Sequence, residues 1–363
     1  MRFALSEDQR QLEASLKGLL GQVCTLDAVR AVAASDFETR IEIDGALSGM
    51  GLGGVLVAEP LGGLGLGLLE AVIAQDAFGA ALAPVDFVAH AVMAPIALRT
   101  LETSALSGGW SERIAAGTAR VAVAPMERSG AREGAGFNSV GDELTGKALF
   151  VFGVMAATHI LVLCESRRIH IVDLGSQGVS IKHLDTIDRT RVFSEVQFDR
   201  APGLCLCDDE RAGRAMDAAI SAGRVALAAD TLGAAQTMLD KAVAYSLERK
   251  QFGRPIGSFQ AVKHMCAEMA AALEPCRALV WQAAHAFDQG SEEAALMACL
   301  ANSHLAEVGT FVAKTATEVH GGMGFTDLLG LHHWFKRIGA NRQLLGGPER
   351  VREEAARLQG WVN

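Results

Sequence analysis

No long basic run interrupts these 363 residues, and 33 Lys and Arg stand against 42 Asp and Glu, a formal charge of −9. Without a stretch of positive charge there is no counterion release to drive binding along a polynucleotide, so nucleic acid is excluded as a partner. Paired cysteine motifs are missing too. The seven cysteines, Cys24, Cys164, Cys205, Cys207, Cys266, Cys276 and Cys299, are odd in number and form no CxxC unit, so they read as reduced, mostly buried thiols. Cys205 and Cys207 lie close together, but no second ligand pair follows at zinc-finger spacing and no metal is assigned. The opening stretch, MRFALSEDQRQLEASLKGLL, carries acidic groups early and lacks an uninterrupted apolar core. That pattern argues against export and for the cytoplasm. The longest uncharged run, Ala148 to Cys164, is near the minimum length of a membrane span. Its β-branched residues, with Gly153 and His159 inside it, point instead to two strands joined by a turn, and no membrane association is expected.

What is present is apolar and small. Half the residues are hydrophobic, 21% are charged and 39 are Gly, enough for a sizeable core in two or three domains or one large one. From Ser6, a candidate N-cap ahead of Leu12, Leu16 and Leu19, to residue 118 the spacing is helical. Residues 119–205 break into short apolar runs, VAVAP, LFVFGV, HILVLCE, RIHIVDL and SEVQFD, separated by turn residues, and read as a β domain. Residues 206–363 return to helical spacing over 211–249, 258–289 and 292–320, with a short last helix whose first turn accepts Pro348. The fold class is therefore α+β: helices at 1–118, strands at 119–205, and a helical bundle at 206–363. The Gly-rich stretch GMGLGGVLVAEPLGGLGLGLLEA lacks both GxGxxG spacing and a Walker lysine, and is read as a loop between packed helices.

Two segments carry chemistry. In AYSLERKQFGRPIGSFQAVKHMCAEMA a helix ends in Arg249, Lys250 and Arg254, a Gly-Pro-Gly turn follows, and Ser258 is placed to cap the next helix. A helix dipole alone explains basic residues at a C-terminus, but not the neighbouring aromatic rings. Guanidinium forks beside flat rings suit a pyrophosphate that links ring systems. In EVHGGMGFTDLLGLHHWFKR a helix runs into Gly321 and Gly322, which permit left-handed backbone and close approach of a ligand. His320, His332 and His333 are read as polar packing beside that turn.

These segments resemble the acyl-CoA dehydrogenase family, with its ERxQFGxxIxxFQ helix end over Glu248 to Gln260 and its QxHGGxGFT turn over Glu318 to Thr326. LSEDQRQL and VAEPLGGLGLG are similar to other stretches of family members, so the likeness spans nearly the whole chain. The resemblance implies an N-terminal helical domain, a middle β domain and a C-terminal four-helix bundle. It implies FAD as cofactor, held by Arg249, Gln251, Phe252, Phe259, Gln260, Glu318, Gly321 and Gly322, which a subunit lends to its neighbour's flavin. Glu318 stands where many members carry Gln, an anion in place of a donor. The resemblance further implies an acyl-CoA substrate desaturated between α and β carbons, and electron-transfer flavoprotein as acceptor.

The pattern breaks at the base. The family's glutamate lies in a YEGT-like stretch, matched here by RQLLGGPERV with Gly346 in its place, or before an Arg on a bundle helix, matched here by Gly223 before Arg224. No catalytic residue is therefore assigned. The strand that supplies a hydroxyl to the flavin reads AVAPMER, with Ala124 or Pro125 at that position. The aromatic-then-Thr stretch reads Leu149, Phe150 and Val151. Residues lent to a neighbour are kept and those used around the chain's own flavin are lost, so a second, base-bearing acyl-CoA dehydrogenase-like subunit is expected in a heterotetramer. A homo-oligomer with a displaced carboxylate, drawn from Asp230, Glu307, Glu318, Asp327 or Glu349, and a flavin-free scaffold are the other readings. Small residues such as Ala222 and Gly223 leave room for a bulky, steroid-like or branched acyl group.

Overall fold

A computed structural model describes residues 4–101, 105–125 and 135–362. Ser6 accepts from the Gln9 amide while Gln9 reaches back to the Ser6 N–H, a reciprocal cap that starts α1 (Glu7–Val23). Helices α2 (Leu26–Ala33), α3 (Phe37–Ser48) and α4 (Leu68–Ala80) follow, then a π-helical turn (Val88–Met93) running into α5 (Ala94–Thr100), and α6 (Ala105–Ala115). The Gly-rich stretch forms loops and short 3-10 turns between α3 and α4.

The strands are β1 (Val121–Ala124), β2 (Gly136–Val140), β3 (Glu143–Phe152), β4 (His159–Leu163), β5 (Ile169–Asp173), β6 (Val179–Leu184), β7 (Phe193–Pro202) and β8 (Leu204–Cys207). They make two sheets of four, ordered β1-β4-β5-β8 and β2-β3-β7-β6, antiparallel except for the β1–β4 pair. Inward residues of both sheets share one core, in which the Phe137 and Phe198 rings lie 4.9 Å apart. The uncharged run Ala148 to Cys164 is the end of β3, a turn and β4.

Helix α7 (Glu210–Glu248) leads to a small hairpin of β9 (Lys250–Gln251) and β10 (Arg254–Pro255). Then come α8 (Gln260–Asp288), α9 (Ala294–His320), α10 (Leu331–Asn341) and α11 (Gly347–Leu358). Pro348 lies in the first turn of α11, where its missing N–H leaves no helical bond unmade. Helix α10, absent from the expected elements, buries Leu331, Trp334 and Ile338 along one face. Among the described residues one helix, over Ala294–Phe325, is long and apolar enough to cross a membrane. Its α9 part packs on α8, α10 and α11, as a core helix does.

The chain divides into two compact units. One joins the residues through Thr39, Val72–Ala83 and the residues from Val225 onward; the other joins Arg40–Ala71 and Pro84–Arg224. In the second unit, buried Arg40 donates to the carbonyls of Pro84 at 2.7 Å and Thr190 at 2.9 Å. His90, on the π-helical turn, donates from Nε2 to the Gly153 carbonyl at 2.8 Å, tying that turn to the end of β3. Burial lowers the His90 pKa, which keeps the ring a neutral donor.

In the first unit α4 and α7 meet backbone to backbone. A Cβ at Gly79 would collide with the Asp230 carbonyl, and one at Gly233 with that of Asp76. At this crossing the Asp230 carboxylate is fully buried. Its Oδ1 accepts from Asn341 Nδ2 at 2.7 Å, and its Oδ2 from Gln75 Nε2 at 2.5 Å and Arg337 Nη1 at 3.3 Å. Arg337, also fully buried, donates in addition to the Ala83 carbonyl at 3.2 Å. Arg337→Met removes the cation and leaves a buried carboxylate short of a donor, so the unfolding free energy should fall by about 3–5 kcal/mol. Urea denaturation followed by circular dichroism measures this; a loss below about 1 kcal/mol would show that the pair is dispensable.

Candidate flavin-lending surface

Every residue expected to be lent to a neighbour lies in the first unit, on α7, α8, α9 and the turns that end them. Tyr245, the single tyrosine of the chain, stacks on His320 with ring centroids 4.6 Å apart. This stack sets the C-terminal ends of α7 and α9 side by side, and so brings the Arg249 and Gly321 segments to one place. His320 Nδ1–H donates to the Ala316 carbonyl at 2.7 Å. Burial lowers the His320 pKa and keeps the ring neutral, which suits stacking rather than proton transfer. Tyr245 was not among the expected site residues, and its position four residues before Arg249 was the available signal.

After α7 the chain reverses through Phe252 and Gly253, between the pairs Gln251–Arg254 and Lys250–Pro255. Both turn residues have positive φ, 52° and 76°, as a two-residue hairpin turn of primed type requires. Gly253 adopts this without strain. Phe252 does not: a bulky side chain at positive φ costs on the order of 1–3 kcal/mol. The same phenylalanine is 92% exposed. It meets the Phe259 ring edge-on at 6.0 Å, and the Arg254 guanidinium lies over Phe259 at 4.1 Å.

Arg249, Gln251, Gln260 and Glu318 are exposed and Phe259 is half-buried. Gln251 turns its amide onto the Lys250 carbonyl at 2.9 Å. Ser258 does not cap α8 as expected. Phe259 takes the N-cap position, and the Ser258 hydroxyl donates to the Pro255 carbonyl at 2.7 Å, because the 3-10 turn Ile256–Ser258 offers that acceptor first. At the other helix end Gly321 caps α9 at φ 57°, and a side chain on Gly321 or Gly322 would meet open space. The backbone there is accessible to a ligand.

None of the five carboxylates proposed as a displaced base is both dry and free. Asp230 is consumed by the buried network above. Glu307 pairs with Arg342 at 3.0 Å and Arg352 at 3.1 Å. Glu349 is exposed, and its pKa is held below the usual range by its own backbone N–H and then by Arg342. Asp327 pairs with Arg30 at 3.3 Å, and Glu318 stands in solvent. A base for an unactivated C–H must be within reach in a water-poor pocket, and these are not.

Gly346 precedes α11 at φ 124°, ψ −19°, and Leu345 beside it has φ 56°. L side chains rarely adopt φ near 124°, so this backbone opposes a glutamate as well as lacking one. Gly223 is buried in the interior of α7, next to buried Arg224. In the second unit Ala124 and Val151 are buried and offer no hydroxyl. Phe150 sits in a bulge between Ala148 and Val151 with φ 55°. Residues 126–134, which include the rest of AVAPMER, lie outside the described residues.

Residues 212–358 match the sequence model of the family described as acyl-CoA dehydrogenase, C-terminal domain. Over 359 residues the chain is 29% identical to acyl-CoA dehydrogenase IpdE2 of Mycolicibacterium smegmatis, spanning 99% of this chain and 100% of that one. The chain belongs to the acyl-CoA dehydrogenase family. Its members are FAD-dependent oxidoreductases acting on CH–CH bonds. Two solved structures resemble it over nearly their full length. A variant of the Tcur3481–Tcur3483 steroid acyl-CoA dehydrogenase is 27% identical with a TM-score of 0.85, covering 98% of each chain. The ChsE4–ChsE5 complex of Mycobacterium tuberculosis is 25% identical with a TM-score of 0.85, covering 100% of each chain. Each of these proteins is named as a pairing of two chains.

FAD needs donors for its pyrophosphate and flat surfaces for its rings. The first unit has both: Arg249 and Arg254, the Phe252–Phe259 pair, and the open backbone at Gly321 and Gly322. These residues fit the chemistry of an FAD pyrophosphate and its rings. Gly346→Glu should lower stability by about 1–3 kcal/mol, because the side chain forces φ out of the glycine region. It should give the isolated chain no dehydrogenase activity. Turnover appearing in that variant would mean that the backbone relaxes freely and the seat of the base is intact.

Proposed function

We propose that this chain is the base-lacking subunit of a two-chain acyl-CoA dehydrogenase, and that it lends its Phe252 hairpin and Gly321–Gly322 turn to FAD held over a base-bearing partner. The observation that carries the reading is Phe252. A bulky residue both strained at φ 52° and 92% exposed is costly twice over, and burial against a partner's ligand offsets the second cost. The four partnered carboxylates, the solvent-exposed Glu318 and the Gly346 backbone support the missing base.

When bound, FAD supplies the acceptor for the β-hydride of the acyl thioester. The roles of this chain are those of holding and shielding. Arg249 offers a guanidinium fork to phosphate oxygens, and Arg254, already seated on Phe259, adds charge behind it. Phe252 and Phe259 cover flat ring surface and exclude water from it. The α-proton leaves to the partner's base, and electrons pass on to an electron-transfer flavoprotein. The acyl group is a bulky one of steroid-like or branched type, and the complex works in the cytoplasm as a heterotetramer.

Co-purification with a base-bearing family member tests this. The complex should be yellow and turn over acyl-CoA, while the chain alone is colourless or inactive; full flavin occupancy with turnover by the lone chain would defeat the proposal. Arg249→Ala in the complex should lower bound flavin at least tenfold, about 1.4 kcal/mol, as read by absorbance after desalting. Unchanged flavin content would remove Arg249 from the site.

A further inference from the structure

Asp327, His332 and His333 converge just beyond the Gly321–Phe325 turn. Gly330, at φ 64°, reverses the chain between the 3-10 turn Asp327–Leu329 and α10, and its N–H closes onto the Asp327 carbonyl at 3.0 Å. Residues five and six positions apart are thereby brought to one point. Asp327 Oδ1 lies 3.6 Å from His332 Nε2 and 3.8 Å from His333 Nε2, and all three ligand atoms fall within 4.8 Å of one another. The two imidazole rings stand 4.0 Å apart at 38°. These separations are too long for hydrogen bonds between the carboxylate and either ring.

They are close to another length. Zn–N and Zn–O bonds of about 2.0–2.2 Å at tetrahedral angles set neighbouring ligand atoms about 3.4 Å apart, a few tenths of an ångström inside the observed spacing. We propose that Asp327, His332 and His333 form a binding site for a divalent transition-metal cation of zinc type, with water in the fourth position. The two nitrogens and one carboxylate oxygen are a donor set that zinc, cobalt and nickel accept, whereas magnesium and calcium prefer oxygen alone.

The surroundings set the strength. His333 is buried, His332 is half-buried and Asp327 is exposed, so the site opens to solvent on the carboxylate side. Arg30 holds the outer oxygen, Oδ2, at 3.3 Å, and its Nη2 donates to the Asp327 and Leu328 carbonyls. That contact orients Oδ1 toward the imidazoles, as an outer-shell partner does. Its positive charge, with that of Lys336 near His332, also opposes a cation. Three protein ligands against two nearby cations make a site of moderate strength. A bound ion would staple the 3-10 turn to the first turn of α10, next to the surface proposed to meet flavin. The site itself stands independently of that proposal.

Cobalt substitution of the purified full chain provides the test. Co²⁺ should give visible d–d bands of a nitrogen and oxygen site without thiolate charge transfer, which separates it from the seven cysteines. Titration calorimetry with zinc should show one site per chain, and excess zinc should raise the melting temperature. Asp327→Asn and His332→Gln, both away from the tight core, should each weaken zinc at least tenfold while the chain stays folded. The idea fails if about 100 µM zinc produces neither heat nor a cobalt spectrum. It fails equally if both variants bind as the parent does, or if thiolate bands dominate.

Discussion

The Asp230 carboxylate is the fixed point of the first unit. It sits where α4 and α7 approach so closely that only glycine fits at Gly79 and Gly233, and it draws Gln75, Arg337 and Asn341 onto that crossing. A buried ion pair of this kind is weak evidence for net stability, because desolvation cancels much of the attraction. What it does supply is uniqueness. Both oxygens are satisfied only when α4, α7 and α10 hold one mutual register, and a slip of any helix leaves a buried charge unpaired. Trp334, donating from its indole to the Ala80 carbonyl at 2.9 Å, repeats the α10–α4 tie on the next turn.

That rigidity makes the surface chemistry possible. The exits of α7 and α9 are held together by the Tyr245–His320 stack, and beyond it the chain carries features that a less constrained fold would relax. Phe252 at φ 52° and Leu345 at φ 56° are outliers for their size, and both lie in segments where family members meet flavin or place their base. Strain of this kind persists only where surrounding structure over-determines the backbone. The two outliers lead in opposite directions. At Phe252 the strain presents a side chain outward, whereas beside Leu345 the strained backbone continues into Gly346 and leaves no position for one.

The sequence made the architecture readable wherever periodicity was strong. The long helices fell within a few residues of their observed ends, since Ala-rich faces with apolar spacing admit little else. The edge strands β2 and β6 escaped notice because an edge strand facing water keeps its polar residues: Val179–Leu184 is exposed along most of its length and shows no apolar run. Helix α10 was hidden by its His, Lys and Arg content, although Gly330 and the Leu331, Trp334 and Ile338 spacing marked it. The segments expected to meet a neighbour's flavin were marked by their motif, and the expectation of a missing base rested on two glycines. The saturation of Asp230 was not, because its partners come from residues 75, 337 and 341, and only the fold brings them together.

The exposed aromatics bear on why such a chain keeps its bundle at all. Phe252, Phe325, Leu328 and Leu247 are each more than 60% exposed, and all belong to the first unit. Returning one such side chain to an apolar environment is worth about 1.5–3 kcal/mol, so leaving the set in water forfeits an amount comparable to a small protein's entire margin of stability. Scattered apolar surface is ordinary, but these residues adjoin a hairpin that also carries strain and a turn whose glycines leave backbone open. Within this chain Phe252 meets the Phe259 ring edge-on and is otherwise turned to solvent, so burial inside the fold does not account for its position. An exposed, strained ring of this kind is most simply explained by a surface completed by another molecule, which is the role proposed for it above.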